Sequence, residues 1–142
     1  MLQLQAIVKL LCEFETLIAY RALNIYELFQ YTAENKNYEK LKFLHCYIEN
    51  YNPELPFPLA FEQALKQAEP QMALKAEDRK QLSQFASVLG TTDVDGQIKN
   101  CRLYINLFEK SLSEALKITA QKQKLYYSLG IIAGLFSAVM LI

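Results

Sequence analysis

The chain has 142 residues, enough for one domain, and its 15 lysines and arginines balance its 15 aspartates and glutamates. Proteins that bind nucleic acid carry an excess of basic residues on one face, so this balance argues against that class. Only four glycines and four prolines are present, too few for the turns of a large sheet. The composition therefore favours a helical domain.

The first half of the chain predicts three helices. Apolar residues recur at spacings of three and four over Gln3–Tyr20, which is typical of an amphipathic helix. Asn24, with Glu27 three positions later, predicts the capped start of a second helix that ends near Thr32. The pattern of apolar residues indicates a third helix over Tyr38–Glu49.

Prolines and charges separate the next two helices. Three prolines between positions 50 and 58 predict a connector, because proline fixes φ and lacks an N–H. Pro58 suits the first turn of a fourth helix that ends near Ala68. The acidic pair at 77–78 suits the positive end of a fifth helix, and Gly90 suits its C-terminus.

A last helix begins near Thr92 or Asp93, both of which are good N-caps. Nothing after Gly96 interrupts it, so the helix is expected to run for about 50 residues, or about 75 Å. Its first half carries a heptad pattern of apolar positions, which we expect to pack within the domain rather than between protomers. This seam consists of Ile98, Cys101, Ile105, Phe108, Leu112, Ala115 and Thr119.

The last 18 residues, 125–142, contain no charged residue. As a helix this stretch is about 27 Å long, close to the thickness of the hydrocarbon core of a bilayer. It therefore predicts a transmembrane span, and the alternative is a C-terminal helix buried in the domain. The residues assigned to the predicted membrane helix are Leu125, Tyr126, Gly130, Gly134 and Phe136.

Lys117, Lys122 and Lys124 precede this stretch, so the positive-inside rule places the preceding domain in the cytoplasm. We expect a cytoplasmic helical bundle over residues 1–120 and a juxtamembrane segment with its membrane helix over 121–142. Gly130 and Gly134 match the small-residue pattern of paired membrane helices. That pattern leaves open both a homo-oligomer and a single helix surrounded by lipid.

The sequence shows no catalytic, metal or cofactor motif. His45 is the single histidine, and none of the three cysteines belongs to a CxxC pair. Three cysteines cannot all pair, so we interpret them as reduced thiols of the domain core. The chain is predicted to be an interaction protein that is not an enzyme and that has no cofactor.

Two segments, residues 76–112 and 122–136, resemble the C-terminal half of the stage III sporulation protein AB family. That family has an acidic–Asp–Arg helix start, a Leu-Gly stop, an Asp soon after, a Gln-Ile-Lys-Asn stretch and a Lys-Leu-Tyr entry into a final span. The matching positions are Glu77, Asp78, Arg79, Leu89, Gly90, Asp93, Gln97, Ile98, Lys99, Asn100, Lys124, Leu125, Tyr126, Leu129 and Gly130. Two departures are Gly96, where a polar residue is expected, and the missing N-terminal apolar anchor of the family.

The resemblance implies a function for the chain. The family is similar to type II secretion protein F, the membrane platform of secretion and pilus machines. The resemblance implies that the chain is a scaffold protein of the channel between mother cell and forespore. It also implies that the chain is located in the mother-cell membrane that faces the forespore. The implied partners are a cytoplasmic secretion-type ATPase and the other channel components.

The candidate partner-binding residues are Asp78, Arg79, Gly90, Asp93 and Gln97. The first four are expected to form a turn between the last two helices, and this turn either docks the partner or consists of caps alone. Two alternatives to the platform function are a tail-anchored helical adaptor outside sporulation and an enzyme without a recognisable motif.

Overall fold

The computed structural model describes residues 2–141, apart from the side chains of Leu2, Phe136 and Leu141. Within this range the chain forms six α-helices and two short 3-10 turns, and it contains no strand. The helices are α1 (Leu2–Arg21), α2 (Ile25–Ala33), α3 (Lys42–Glu49), α4 (Phe57–Ala68), α5 (Ala76–Val88) and α6 (Val94–Leu141). The predicted all-α fold of about six helices is confirmed.

Side-chain caps fix where α2 and α6 begin. Asn24 Oδ1 accepts a hydrogen bond from the backbone N–H of Glu27, and Asn24 Nδ2 donates to Glu27 Oε1, both at 2.9 Å. This reciprocal pair confirms the predicted variant of the capping box. Asp93 Oδ1 accepts from the backbone N–H of Gly96 at 2.8 Å and caps α6 in the same way.

The predicted start of the third helix at Tyr38 is wrong. A 3-10 turn occupies Lys36–Tyr38, and α3 begins only at Lys42. The side chain of Asn35 accepts from the N–H of Asn37, which holds the turn. The ring of Tyr38 is thereby buried, and its hydroxyl donates to Glu13 on α1. Apolar spacing cannot reveal this start, because a tertiary contact decides it.

The packing of α1 against the first half of α6 forms the centre of the bundle. The two helices run antiparallel: Arg102 Nε lies 2.7 Å from Glu15 Oε1, and Leu4 lines the same crevice as Ile118. The heptad seam faces this interface, where Cys101 and Phe108 have no exposed surface. The seam therefore packs within the chain, as expected.

The bundle has two ends, which we call basal and distal. The basal end contains Leu4 on α1 and the start of α5, and α6 leaves the bundle there. The distal end contains the α1–α2 turn, the connector over residues 50–56 and the α5–α6 turn over residues 89–93.

The second half of α6 extends beyond the basal end. The helix has 48 residues and is about 72 Å long. Every side chain described between Ala120 and Met140 is exposed, which excludes the alternative of a buried C-terminal helix for this range. Unbroken helix through Gly130 and Gly134 agrees with the predicted continuous last helix.

The structure does not support the predicted transmembrane span. Among the described residues, no helix combines the length and the apolar character that crossing a bilayer requires. Part of the predicted span lies outside the description, namely the side chains of Phe136 and Leu141 and the whole of Ile142.

Gly90 confirms the predicted end of α5. Its φ of 80° lies in the left-handed region, and an added Cβ would stand 2.6 Å from Ile25 Cδ1 of α2. The left-handed backbone turns the chain while the preceding Leu89 remains buried in the core. A residue with a side chain at position 90 would be strained and would press on α2.

We expect Gly90→Ala to lower the free energy of unfolding by about 1–2 kcal/mol, because a side chain disfavours left-handed backbone. Thermal unfolding of the detergent-solubilised full chain, followed by circular dichroism, measures the change. Gly130→Ala is the matched control, since an added Cβ at that position meets no heavy atom within 4 Å beyond the local backbone and adjacent residues of α6. Equal melting temperatures for the two variants would contradict this account of Gly90.

Candidate functional site

The structure divides the five predicted partner-binding residues into two groups. Asp78 and Arg79 lie in the first turn of α5 at the basal end, whereas Gly90, Asp93 and Gln97 lie at the distal end. The 13 residues of α5 separate the groups by about 20 Å. The expected single turn containing Asp78, Arg79, Gly90 and Asp93 is therefore wrong.

The two basal residues hold the start of α5 in place. Asp78 is only 5% exposed and accepts a hydrogen bond from the backbone of Lys75. Arg79 Nη1 donates to the carbonyl of Leu74 at 3.2 Å, and its Nη2 lies 3.4 Å from Glu69 Oε1. These contacts join α5 to the segment that precedes it, so we assign both residues to folding.

Burial raises the pKa of Asp78 above its ordinary value of 3.8, and the neighbouring Glu77 adds to the increase. The backbone hydrogen bond and the charge of Lys75 oppose this shift. Because burial is the largest cause, the ionised carboxylate is less favourable in the folded chain than in the unfolded chain.

Two of the distal residues, Gly90 and Gln97, line an open cleft of about 480 Å³. We call it the tyrosine cleft, and its walls include Leu23, Tyr26, Tyr47, Tyr51, Gly90 and Gln97. Gln97 Nε2 donates to the carbonyl of Thr92 at 3.3 Å, so Gln97 is tied to the α5–α6 turn. Asp93 caps the helix beside the cleft.

Aromatic rings join the tyrosine cleft to the core. The rings of Tyr26 and Tyr51 lie 4.3 Å apart at an angle of 42°, and Tyr51 also contacts Tyr47. Tyr47 then packs 4.6 Å from Phe29, which is fully buried. Tyr51, at the other end of this series, is 44% exposed. The wall is thus anchored in the core and open to solvent at its rim.

The phenol groups of Tyr26 and Tyr51 influence that of Tyr47 electrostatically. Burial raises the pKa of Tyr47 to about 12, and Tyr51 and Tyr26 contribute to the increase. The Tyr47 phenol therefore stays protonated and neutral at physiological pH, where it can donate a hydrogen bond.

Three carboxylates lie close in sequence to residues of the cleft, but none belongs to its described lining, and Glu27 lines a neighbouring depression with Arg21. Glu27 lies between Tyr26 and Leu28 in sequence, and Asn24 fixes its side chain. Glu54 lies between two lining residues of the connector, and Asp93 caps α6. No lysine or arginine belongs to the described lining. The described lining is therefore uncharged, and polar and apolar groups both contribute to its surface.

The predicted partner-binding residues include Gly90 and Gln97 of the cleft but none of its tyrosines. Tyr26, Tyr47 and Tyr51 come from α2, α3 and the connector that follows α3. No spacing rule relates residues on separate elements, so only the fold brings them together. The available signal was a proline-containing connector flanked by aromatic residues.

The thiols differ from the predicted set of three core cysteines. Cys101 is buried and Cys46 half-buried, as expected, but Cys12 is exposed. All three are free, and burial raises the pKa of each thiol, that of Cys101 to about 12. His45 is exposed on α3, and the described residues contain no cluster of three metal-ligating side chains.

The residues of the predicted membrane helix lie on the free part of α6. Leu125 is 58% and Tyr126 is 71% exposed, and both belong to a surface without any charge. Apart from the adjacent residues and the local backbone of α6, no described heavy atom lies within 4 Å of a Cβ added to Gly130 or Gly134. The side chain of Phe136 lies outside the described residues.

These features define a class of protein: a helical bundle with a long projecting helix at one end and an aromatic cleft at the other. The model of the stage III sporulation protein AB family matches residues 1–142, and the chain belongs to this family. Membership supports a role in sporulation.

A curated relative is stage III sporulation protein AB of Bacillus subtilis (strain 168). The two chains are 34% identical over 82 residues, which are 58% of this chain and 48% of the relative. The match thus spans about half the length of that relative. No solved structure matches the chain.

The raised pKa of Asp78 predicts that the folding stability of the chain depends on pH. Because the folded pKa is raised, the folded chain binds the proton more tightly, and its stability falls as pH rises through that pKa. Asp78→Asn keeps an acceptor oxygen and removes the charge. We expect this variant to melt above the wild type at about pH 7, with a difference that shrinks as pH falls toward about 4.

The measurement is a series of melting curves across this pH range. Asp95→Asn, which removes an exposed carboxylate from the first turn of α6, is the control and should not reproduce the pH dependence. A difference between Asp78→Asn and the wild type that stays constant with pH would contradict the assignment.

Proposed function

We propose that the chain is a non-enzymatic scaffold that α6 holds at the cell membrane and that docks a cytoplasmic partner on its bundle. One observation carries the proposal: the first half of α6 packs in the bundle, and the second half projects from it uncovered. An exposed helix without charge from Leu125 onward is costly in water and favourable in contact with lipid.

The residues before the apolar stretch support membrane attachment. Lys117, Lys122 and Lys124 follow the last acidic residue of the chain, Glu114. Basic residues at this position favour the anionic cytoplasmic surface of a membrane, so the bundle would lie in the cytoplasm. Tyr126, highly exposed next to these lysines, suits the polar–apolar boundary of a bilayer.

The geometry also supports a platform. Gln97 at the distal end and Leu125 at the start of the apolar stretch are about 42 Å apart along one helix. A membrane bound at the basal side would leave the distal end free for a cytoplasmic partner. A rigid helix shared by both ends would then transmit the position of that partner to the membrane.

The partner that we propose, from the resemblance to secretion platform proteins inferred from the sequence, is a secretion-type ATPase. The same resemblance also supplies the proposed location, the mother-cell membrane facing the forespore, and the assembly with other channel components. Membership of a sporulation family disfavours the alternative of an adaptor outside sporulation. Gly130 and Gly134, which no described residue covers, support pairing of two copies as part of the same assembly.

Cell fractionation tests the membrane part of the proposal. We expect the full chain to pellet with membranes and a version ending at Gln123 to remain in the supernatant, because truncation removes the uncharged surface. Carbonate washing of the membranes then distinguishes two modes of attachment. Retention of the full chain indicates insertion into the hydrocarbon core, and its release indicates binding at the lipid surface. Recovery of the full chain in the supernatant would contradict the proposal.

Co-purification tests the platform part. We expect the secretion-type ATPase to co-purify with the full chain from detergent-solubilised membranes and also with the version ending at Gln123. Retention by both versions would place the contact on the bundle. Loss from both, with the melting curve of each still cooperative, would contradict the platform function and leave membrane attachment unaffected.

A further inference from the structure

The outer side of α6 carries lysines at heptad spacing. Lys110, Lys117 and Lys124 follow one another at intervals of seven residues, and Lys99 lies eleven residues before the first of them. At about 100° of rotation per residue, the four side chains fall within a sector of about 40°. We call these four residues the lysine row, which is about 38 Å long.

The lysine row belongs to an exposed stripe without acidic residues. The other positions of the stripe are Leu103, Asn106, Ser113 and Ala120, and all eight side chains are exposed. The heptad seam lies on the opposite side of the helix, where Cys101 and Phe108 are buried. The packing of α1 and α5 against α6 therefore leaves the lysine row uncovered.

The two carboxylates in this part of α6 lie beside neighbouring helices. Glu114 lines the basal crevice together with the start of α5. Glu109 is close enough to Cys12 of α1 to contribute to the raised pKa of that thiol. Within the part of the chain that the structure describes, no lysine of the row forms an ion pair. The row therefore presents four positive charges to the solvent.

We propose that the lysine row binds an acidic helix of a partner protein, which lies along the outer side of α6. The inference rests on the proposed scaffold function, because it names a surface through which the scaffold binds another component. Lys99 lies two residues after Gln97, so the row begins near the distal end, which the proposed membrane attachment leaves free.

The spacing of the row suits a helix. A side-chain pattern with a period of about 3.5 residues keeps facing a second helix that winds around the first. Glutamates of a partner helix at the same spacing would meet Lys110, Lys117 and Lys124. Leu103, which is 53% exposed in the same stripe, would add an apolar contact.

Anionic lipid accounts for one end of the row only. With the uncharged stretch from Leu125 in a bilayer, Lys124 would lie at the lipid surface. Lys110 and Lys99 are about 21 Å and about 38 Å farther along the helix. The attraction of a charged surface falls off over about 8 Å at physiological ionic strength, so lipid leaves both of these lysines unexplained.

A nucleic acid and a second copy of the chain also fit the row less well. The chain has no net charge, whereas proteins that bind nucleic acid are rich in basic residues. A symmetric pair of chains joined through this side of α6 would place the lysines of the two copies against each other. An acidic helix of another protein avoids this repulsion.

Two synthetic helical peptides test the spacing. Both are rich in alanine and about 28 residues long, which is enough to form a helix in water. One has glutamate at every seventh position, so that its carboxylates lie along one side. The other has the same number of glutamates at every fifth position, which distributes them around the helix.

We expect the first peptide to bind the detergent-solubilised full chain about tenfold more tightly than the second at low ionic strength, because three aligned ion pairs each contribute a little. Fluorescence anisotropy of the labelled peptides measures the affinities. Equal affinities would overturn the proposal, since net charge alone would then explain the attraction.

Lys110→Glu and Lys122→Glu form a matched pair of variants. Both lysines are exposed on α6, but Lys122 is rotated by about 140° from Lys117 and lies outside the row. We expect Lys110→Glu to weaken binding of the first peptide about fivefold and Lys122→Glu to change it less than about twofold. Equal losses in the two variants would overturn the assignment of the site.

Lys110→Ala introduces no new carboxylate beside Glu109 and keeps the test independent of any effect of the reversal on folding. We expect this variant to weaken binding of the first peptide about twofold, with an unchanged melting curve. An unchanged affinity would overturn the proposal.

Vesicles and light scattering test the other occupants. Because Lys110 lies far from the uncharged stretch, we expect Lys110→Glu to bind vesicles of phosphatidylcholine and phosphatidylserine as the wild type does. A selective loss of vesicle binding in this variant would overturn the proposal in favour of a lipid-binding side of α6. A change in its oligomeric state, measured by light scattering, would overturn the proposal in favour of self-association.

These tests are separable from those of the scaffold function. Peptide binding is measured on purified protein, so it succeeds or fails regardless of whether the chain pellets with membranes. Failure of the row with normal fractionation and normal ATPase co-purification would place the docking surface elsewhere on the bundle. Success of the row with a full chain recovered in the supernatant would retain the docking surface and reject membrane attachment.

Discussion

The antiparallel packing of α1 against the first half of α6 is the contact on which the rest of the structure depends. Burial of the seam that contains Cys101 and Phe108 fixes α6 relative to the bundle. Because α6 is one continuous helix, fixing its first half also fixes the direction of its second half. The single interface between α1 and α6 thus fixes the distance between the two ends of the molecule.

This arrangement assigns different properties to the two ends. At the basal end, the contacts of Asp78 and Arg79 hold the first turn of α5 in place. The exposed, uncharged part of α6 extends from the same end. At the distal end, three tyrosines and the α5–α6 turn line an open cleft. Membrane attachment and partner docking, as proposed, would therefore occur at opposite ends of one rigid body.

The aromatic series gives the cleft its rigidity. Tyr47 contacts Phe29 on one side and Tyr51 on the other, so the cleft wall is an extension of the hydrophobic core. Gly90 completes this wall, because its missing side chain allows the α5–α6 turn to approach Ile25 closely. Loss of either feature would alter the cleft through the packing behind it.

The sequence by itself determined the local structure: the Asn24–Glu27 cap, the end of α5 at Gly90 and the continuous α6 all follow from short-range rules of hydrogen bonding and backbone geometry. The resemblance in residues 76–112 and 122–136 predicted the family, and the family match over residues 1–142 confirms it. Only the tertiary structure separated Asp78 from Gly90, replaced the helix start at Tyr38 by a 3-10 turn and assembled the tyrosine cleft. The physical reason is that these features depend on contacts between residues distant in sequence, which local periodicity does not encode.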